Sequence, residues 1–244
     1  MTFFDKAQIL EHNQWLEDLV LLDTTPSTQL EARGGLANTL YLTDHQTATY
    51  GRFGRKYYAA NTGGIYMSAN LGQSNYEKHV QYTILAASAV VSAIEKLTTK
   101  KPTIKWVNDV YLGKKKIVGI LAESGPSGMI LGMGINFDIQ YFPEELSDRA
   151  TSLYPNQEYP SITESDLISK IWSEFRRLEN LNYLEIYKSH CFVLGMTVSF
   201  KQNNHDLQGV AIDLTPQGEL IVNCNDGIQR ILNSGEISLK KWTE

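Results

Sequence analysis

Apolar runs alternate with Gly-, Pro- and Asn-bearing breaks along the whole chain. LVLLDTT (19–25) and LANTLYLTD (36–44) carry the branched and aromatic residues of strands. Between them Ser27 or Thr28 can cap a short helix. GIYMSANLG (64–72) alternates weakly and predicts a third strand. Residues 76–98 are apolar nearly all round, including Ile84, Leu85, Val90, Val91 and Ile94, which predicts a helix buried in the core. IKWVNDVYL and KIVGILAES, parted by a glycine turn, predict a hairpin. GMILGMGINFDI predicts another strand, and glycine inside a strand often marks close approach by a ligand. Residues 142–162 are irregular. Thr163 and Asp166 then form a capping box, after which Leu167, Ile168, Ile171, Trp172, Phe175 and Leu178 share one helical face.

The texture changes near residue 190. VSF, LQGVAIDLT, ELIVNC, IQRIL and GEISL are short strands separated by turn signals, which predicts a small all-β unit. The expected division is therefore residues 1–189 and 190–244.

Composition narrows the functions. The chain has 244 residues, 42% hydrophobic and 20% charged, with a net charge of −5. Those are globular values, and they give no electrostatic case for nucleic acid or an anionic membrane as partner. Any anion site must be a local cationic patch. Cys191 and Cys224 have no metal or redox spacing, and the five histidines are scattered, so no metal site is expected. The N-terminus lacks a signal-peptide pattern. The longest apolar run, TILAASAVVSAI, is shorter than the ~20 residues of a membrane span. A cytoplasmic protein is the expectation. Trp15, Trp106, Trp172 and Trp242 are assigned to packing.

Three segments carry candidate chemistry. In QTATYGRFGRKY (46–57), glycines let the backbone approach a phosphate while Arg52, Arg55 and Lys56 supply charge. Tyr57 and Tyr58 can stack on a base or shield the site. In KWVNDVYLGKKKIVGILAE (105–123), Asn108 and Asp109 fall at a strand end and Lys116 opens the next strand. In LGMGIN (131–136), Gly132 and Gly134 can line a flat pocket and Asn136 can read a base edge. Each segment alone is equally readable as a solvated turn or a packing device.

Their order is more specific. Ser27-Thr28-Gln29, QTATYGRFGR, KWVND, KKIVGILAE, GMGIN and the tail GEISLK together resemble the biotin protein ligases over nearly the whole chain. The resemblance implies a mixed β-sheet with helices packed on it, followed by a small barrel: an α+β fold. It implies activation of biotin by ATP with Mg²⁺ to biotinyl-AMP, then transfer of biotin to a lysine of a biotin carboxyl carrier protein. It also implies positions. Ser27, Thr28, Gln29 and Gln46 lie near the biotin ring, with Tyr50 and Gly51 counted among the biotin contacts. Arg52 and Lys116 stand by the biotin carboxyl and α-phosphate. Gly132 and Gly134 let their strand lie against biotin. Asn108 and Asn136 serve the adenine side with Arg55, Lys56 and Tyr57, and Lys240 faces the ATP phosphates. Asp109 is a candidate to orient Lys116 or to take a proton from the acceptor lysine. Relatives often pair through a sheet edge, so a homodimer is an open expectation.

The departures matter too. Thr49 and Tyr50 replace the Gly-Arg that usually opens the loop, which removes one phosphate-facing cation. Val107 stands where proline is usual, which is expected to loosen its turn. Too few residues precede Ser27 for a DNA-binding winged helix, so a ligase without repressor function is expected. The loop, residues 48–58, is expected to order on ligand binding. The alternatives are a lipoate-protein ligase and a biotin- or AMP-binding paralog without ligase activity.

Overall fold

The computed structural model describes residues 4–55, 57–73, 79–233 and 237–239. Its larger sheet has seven strands: β1 (Asp18–Leu21), β2 (Thr39–Thr43), β3 (Gly64–Asn70), β4 (Pro102–Lys105), β5 (Asp109–Leu112), β6 (Lys115–Gly125) and β7 (Gly128–Asn136). They lie in the order β1-β2-β3-β7-β6-β5-β4. Only β1 and β2 run parallel, so the sheet is mixed. β3 is buried at all seven positions, which explains its near-continuous apolar sequence: a central strand covered on both faces needs no alternation.

The helices are α1 (Lys6–Glu11), α2 (Thr28–Gly34), α3 (His79–Leu97), α4 (Glu144–Ser147), α5 (Glu164–Leu178) and α6 (Tyr183–His190). α3 is apolar and long enough to cross a membrane by composition alone, but here it is the core helix, packed on β6 and covered by α5 and α6. Trp172 of α5 is fully buried, ring to ring with Trp15 and Phe175, and its indole N–H meets Met67 Sδ at 3.3 Å. Thr163 and Asp166 form the reciprocal capping box that opens α5.

The second sheet holds β8 (Thr197–Gln202), β9 (His205–Leu214), β10 (Leu220–Cys224), β11 (Gln229–Leu232) and β12 (Ser238–Leu239), antiparallel in the order β11-β10-β9-β8-β12. Among the described residues this is a five-stranded sheet, with no pairing that closes it into a complete barrel. One cluster of buried apolar side chains runs from Ile9 through both sheets to Ile237.

Two expectations change in ways that bear on the site. IKWVNDVYL is not one strand: β4 and β5 form a hairpin of their own, turning at Trp106–Asn108. The turn is drawn inward. The buried Trp106 indole donates to the Gly218 carbonyl at 3.0 Å, and the buried Tyr187 hydroxyl donates to the Val107 carbonyl at 3.0 Å. Val107 therefore sits in a turn held by hydrogen bonds from both sides. The strand expected over 19–25 ends at Leu21; beyond it, Thr25 makes only an isolated bridge to Gln46. That bridge carries the chain into the site.

Candidate functional site

Ser27 caps α2 by accepting the Gln29 amide, which turns Thr28 and Gln29 toward the sheet. Gln46, at the start of the glycine loop, accepts the Thr28 amide (2.6 Å) and faces the Thr28 hydroxyl (3.1 Å). The Thr28 and Ser68 hydroxyls are 2.9 Å apart, and Ser68 donates to Gln29 Oε1 at 2.9 Å. Gln29 Nε2 donates to Glu123 Oε2 at 3.1 Å. Gln46 Nε2 donates to the Tyr57 hydroxyl at 2.7 Å. The result is a buried wall of amides and hydroxyls crossing from α2 over β3 to β6. Gly132 makes this possible: a Cβ there would collide with Gln29 Oε1 and stand 3.0 Å from Ser68 Oγ.

The charged end is built by the β4–β5 turn and the start of β6. Arg52 lies in a short 3-10 turn at Arg52–Gly54 and donates to Asn108 Oδ1 at 3.1 Å. Asn108 in turn donates to the Ile120 carbonyl at 3.1 Å. Lys116 Nζ stands 2.7 Å from Asp109 Oδ1. That oxygen has no aligned hydrogen bond, so the contact is an ion pair. Gly119 leaves the lysine its path, since a Cβ there would sit 3.0 Å from Nζ. Asn136 donates to the Thr151 and Lys116 carbonyls, at 3.0 and 3.4 Å, and so fastens the start of β6.

A cavity of about 1080 Å³ joins the two ends. Ser27, Thr28, Gln29, Gln46, Tyr50, Gly51, Arg52, Arg55, Tyr57, Asn108, Asp109, Lys116, Gly132, Gly134 and Asn136 all line it, and Ile237 to Leu239 bring the second sheet to its rim. Lys56 and Lys240 lie outside the described residues, as does Trp242. Tyr57, expected beside the nucleotide, turns its hydroxyl to Gln46 in the wall of amides and hydroxyls. Loss of hydration there pushes its pKa up to about 12, so it stays a neutral phenol. The asparagines spend amide hydrogens on backbone carbonyls, Asn108 on Ile120 and Asn136 on Lys116 and Thr151. Thr49 and Tyr50 fasten the loop: Thr49 donates to the Tyr57 carbonyl, and Tyr50 donates to Glu123 Oε2 at 3.2 Å. Desolvation and the neighbouring Glu123 raise the Tyr50 phenol to about 12.

Sequence reasoning missed Ser68 and Glu123. Ser68 had one signal, a hydroxyl at the centre of an apolar strand. Glu123 closes the GILAE segment already singled out, without a role of its own.

Residues 21–139 match the "Biotin/lipoate A/B protein ligase family", and residues 193–240 match the "Biotin protein ligase C terminal domain". The chain is 32% identical over 240 residues to the bifunctional ligase/repressor BirA of Bacillus subtilis, covering 89% of this chain and 73% of that protein. It is 26% identical to the biotin–[acetyl-CoA-carboxylase] ligase of Mycobacterium tuberculosis, covering 90% and 87%. Among solved structures, the biotin protein ligase of Aquifex aeolicus in complex with biotin and ATP superposes with a TM-score of 0.78 at 27% identity, over 92% of this chain and 99% of that one. The mixed sheet with its appended β-unit is the ligase fold, and the chain belongs to the biotin protein ligase family.

Proposed function

We propose that the chain joins biotin to AMP and passes the biotinyl group to a lysine of a biotin carboxyl carrier protein. In the first step a biotin carboxylate oxygen bonds to the α-phosphorus of ATP and the bond to the β-phosphate oxygen breaks, releasing pyrophosphate. Two anions must meet, so fixed positive charge is what the protein has to supply. Arg52, held by Asn108, and Lys116, held beside Asp109, stand at one end of the cavity for that purpose. Mg²⁺ enters with the ATP phosphates. In the second step the carrier lysine's amine attacks the acyl carbon, a proton is lost and AMP leaves; Asp109 is a candidate to take that proton or to orient Lys116.

The observation that carries this reading is one cavity with a hydrogen-bonding wall at one end and two fixed cations at the other. Thr28, Gln29 and Gln46 offer the wall to the biotin ring, with Ser27, Gly132 and Gly134 shaping it. Arg55, Asn108 and Asn136 bound the nucleotide side, and Lys56 and Lys240 belong to it by resemblance alone. The site is assigned to a cytoplasmic enzyme that needs no nucleic acid or membrane, and pairing through a sheet edge remains part of the proposal.

Incubation with ATP, Mg²⁺, labelled biotin and a carrier domain tests it. Label on the carrier lysine supports the reading. Transfer from lipoate but not biotin would replace it with a lipoate ligase. Retained ligand without transfer would replace it with a binding paralog.

A further inference from the structure

The polar wall holds fewer hydrogens than its contacts need, and Glu123 sets that imbalance. Gln46 has no choice of orientation: the Thr28 amide can only donate, so Gln46 must turn Oε1 toward Thr28 and Nε2 toward Tyr57. Gln29 is fixed from the other side. Glu123 accepts, so Gln29 must turn Nε2 toward it and Oε1 toward Ser68; the Ile130 carbonyl, 3.5 Å from Nε2, acts in the same sense. Two carbonyl oxygens thus face each other across two hydroxyls. The line Gln29 Oε1, Ser68, Thr28, Gln46 Oε1 has three oxygen–oxygen contacts, at 2.9, 2.9 and 3.1 Å, and two hydroxyl hydrogens. One contact always lacks a proton. A buried line one hydrogen short favours a ligand that brings an N–H donor over a head group without one.

We propose that Glu123 is a positioning residue for substrate recognition: by orienting the Gln29 amide it keeps the pocket wall short of hydrogen and so selects a ligand head with N–H groups, such as a cyclic urea. The proposal rests on the biotin reading above and deepens it. Glu123 acts through Gln29. Its oxygen Oε2 also takes the Tyr50 hydroxyl and lies 3.5 Å from Arg33 Nη2, so the orientation of the wall and the seating of the loop share one atom.

The test compares Glu123→Leu, which removes the acceptor, with Glu123→Gln, which keeps an acceptor oxygen. Biotin-dependent pyrophosphate exchange is the assay, with thermal melting to confirm folding. In Glu123→Leu the biotin KM rises roughly 5- to 100-fold, the effect of one buried hydrogen bond left unmade, while the ATP KM moves about twofold or less and any fall in kcat from the loop's lost Tyr50 contact stays smaller than the rise in biotin KM. Glu123→Gln stays within about threefold of wild type for biotin. Arg33→Ala, which leaves Gln29 and Glu123 paired, is unchanged. If the Leu variant melts out, Glu123→Lys, which presents a donor to Gln29, raises the biotin KM in the same way. Equal losses in the Leu and Gln variants would overturn the proposal, because Glu123 would then matter only as a charge for Arg33. A loss in kcat with unchanged biotin KM would overturn it too. A wild-type enzyme that makes no biotinyl-AMP would instead remove the ligase reading beneath it.

Discussion

Lys116 is held in a way that a generic surface lysine is not. Its backbone is locked on both sides by the segment after α4, with its amide donating to the Arg149 carbonyl (2.9 Å) and its carbonyl accepting the Thr151 amide (3.0 Å). Its ammonium is kept over Gly119 beside Asp109. A cation fixed before the reaction needs no reorganisation as charge builds on the phosphoryl oxygens. Lys116→Ala therefore lowers adenylation by ~10² to 10³, read as biotin-dependent pyrophosphate exchange, with biotin affinity changed far less. An equal loss in biotin affinity would show that the lysine serves binding and not the transition state. The gathering of these residues was legible only as a combination: no single segment separated a site from a solvated turn. What the chain could not disclose was which way each amide faces. Gln29 and Gln46 look alike as letters, and their polarity depends on Glu123 and on the Thr28 amide, partners 94 and 18 residues away.

At the scale of elements, legibility followed periodicity. α5 was visible because its buried positions recur at helical spacing and its capping box is local. α1 and α6 were not: α1 buries only Ile9, and α6 only Tyr187, so neither leaves a stripe. The break in IKWVNDVYL was hidden because its causes, Gly218 and Tyr187, are far along the chain. Thr163→Ala removes one side of the cap on α5 and costs about 1 kcal/mol, measured by urea unfolding. The box also titrates. Burial raises the Asp166 pKa, but the Thr163 amide and hydroxyl and Gln8 outweigh it and hold the carboxyl below its usual value. A carboxylate depressed in the folded state stabilises above its unfolded pKa and stops doing so as pH falls through the folded one. Stability of the wild type should thus decline more steeply than that of Asp166→Asn below about pH 4; parallel declines would remove Asp166 from the account. A sharper effect is expected at the β6–β7 turn. Gly128 has φ +136°, and a Cβ there would overlap the Gly72 carbonyl, which accepts the Met129 amide. Gly128→Ala should destabilise by at least ~2 kcal/mol, and a change under about 0.5 kcal/mol would mean the turn relaxes freely.

The proposed division near residue 190 is a change in secondary structure, and the core runs across it. Ile84 of α3 packs against Gly218 so closely that a Cβ on that glycine would sit 2.7 Å away. The Gly218 carbonyl holds the Trp106 indole, and Trp106 begins the turn that presents Asn108 and Asp109. Val193, Val198, Ala211, Leu220 and Val222 belong to the same buried cluster as the helices of the first unit. Ile237 to Leu239 complete the cavity rim. A second sheet attached only by a linker would unfold independently; one that shares a core and supplies a buried hydrogen bond to the site should not. Urea unfolding of the intact chain is expected to give one transition, coincident by tryptophan fluorescence and far-ultraviolet circular dichroism. Residues 1–189 alone should show no biotin-dependent pyrophosphate exchange, because the Trp106 indole loses its acceptor and the turn its anchor. A separate Trp106→Phe substitution isolates that contact: it removes the donor, leaves the Gly218 carbonyl buried without it, and should destabilise by roughly 1–3 kcal/mol while the transition stays single. Two resolved transitions in the wild type, or full activity in the 1–189 fragment, would mean that the adenylation turn holds its shape without the second sheet.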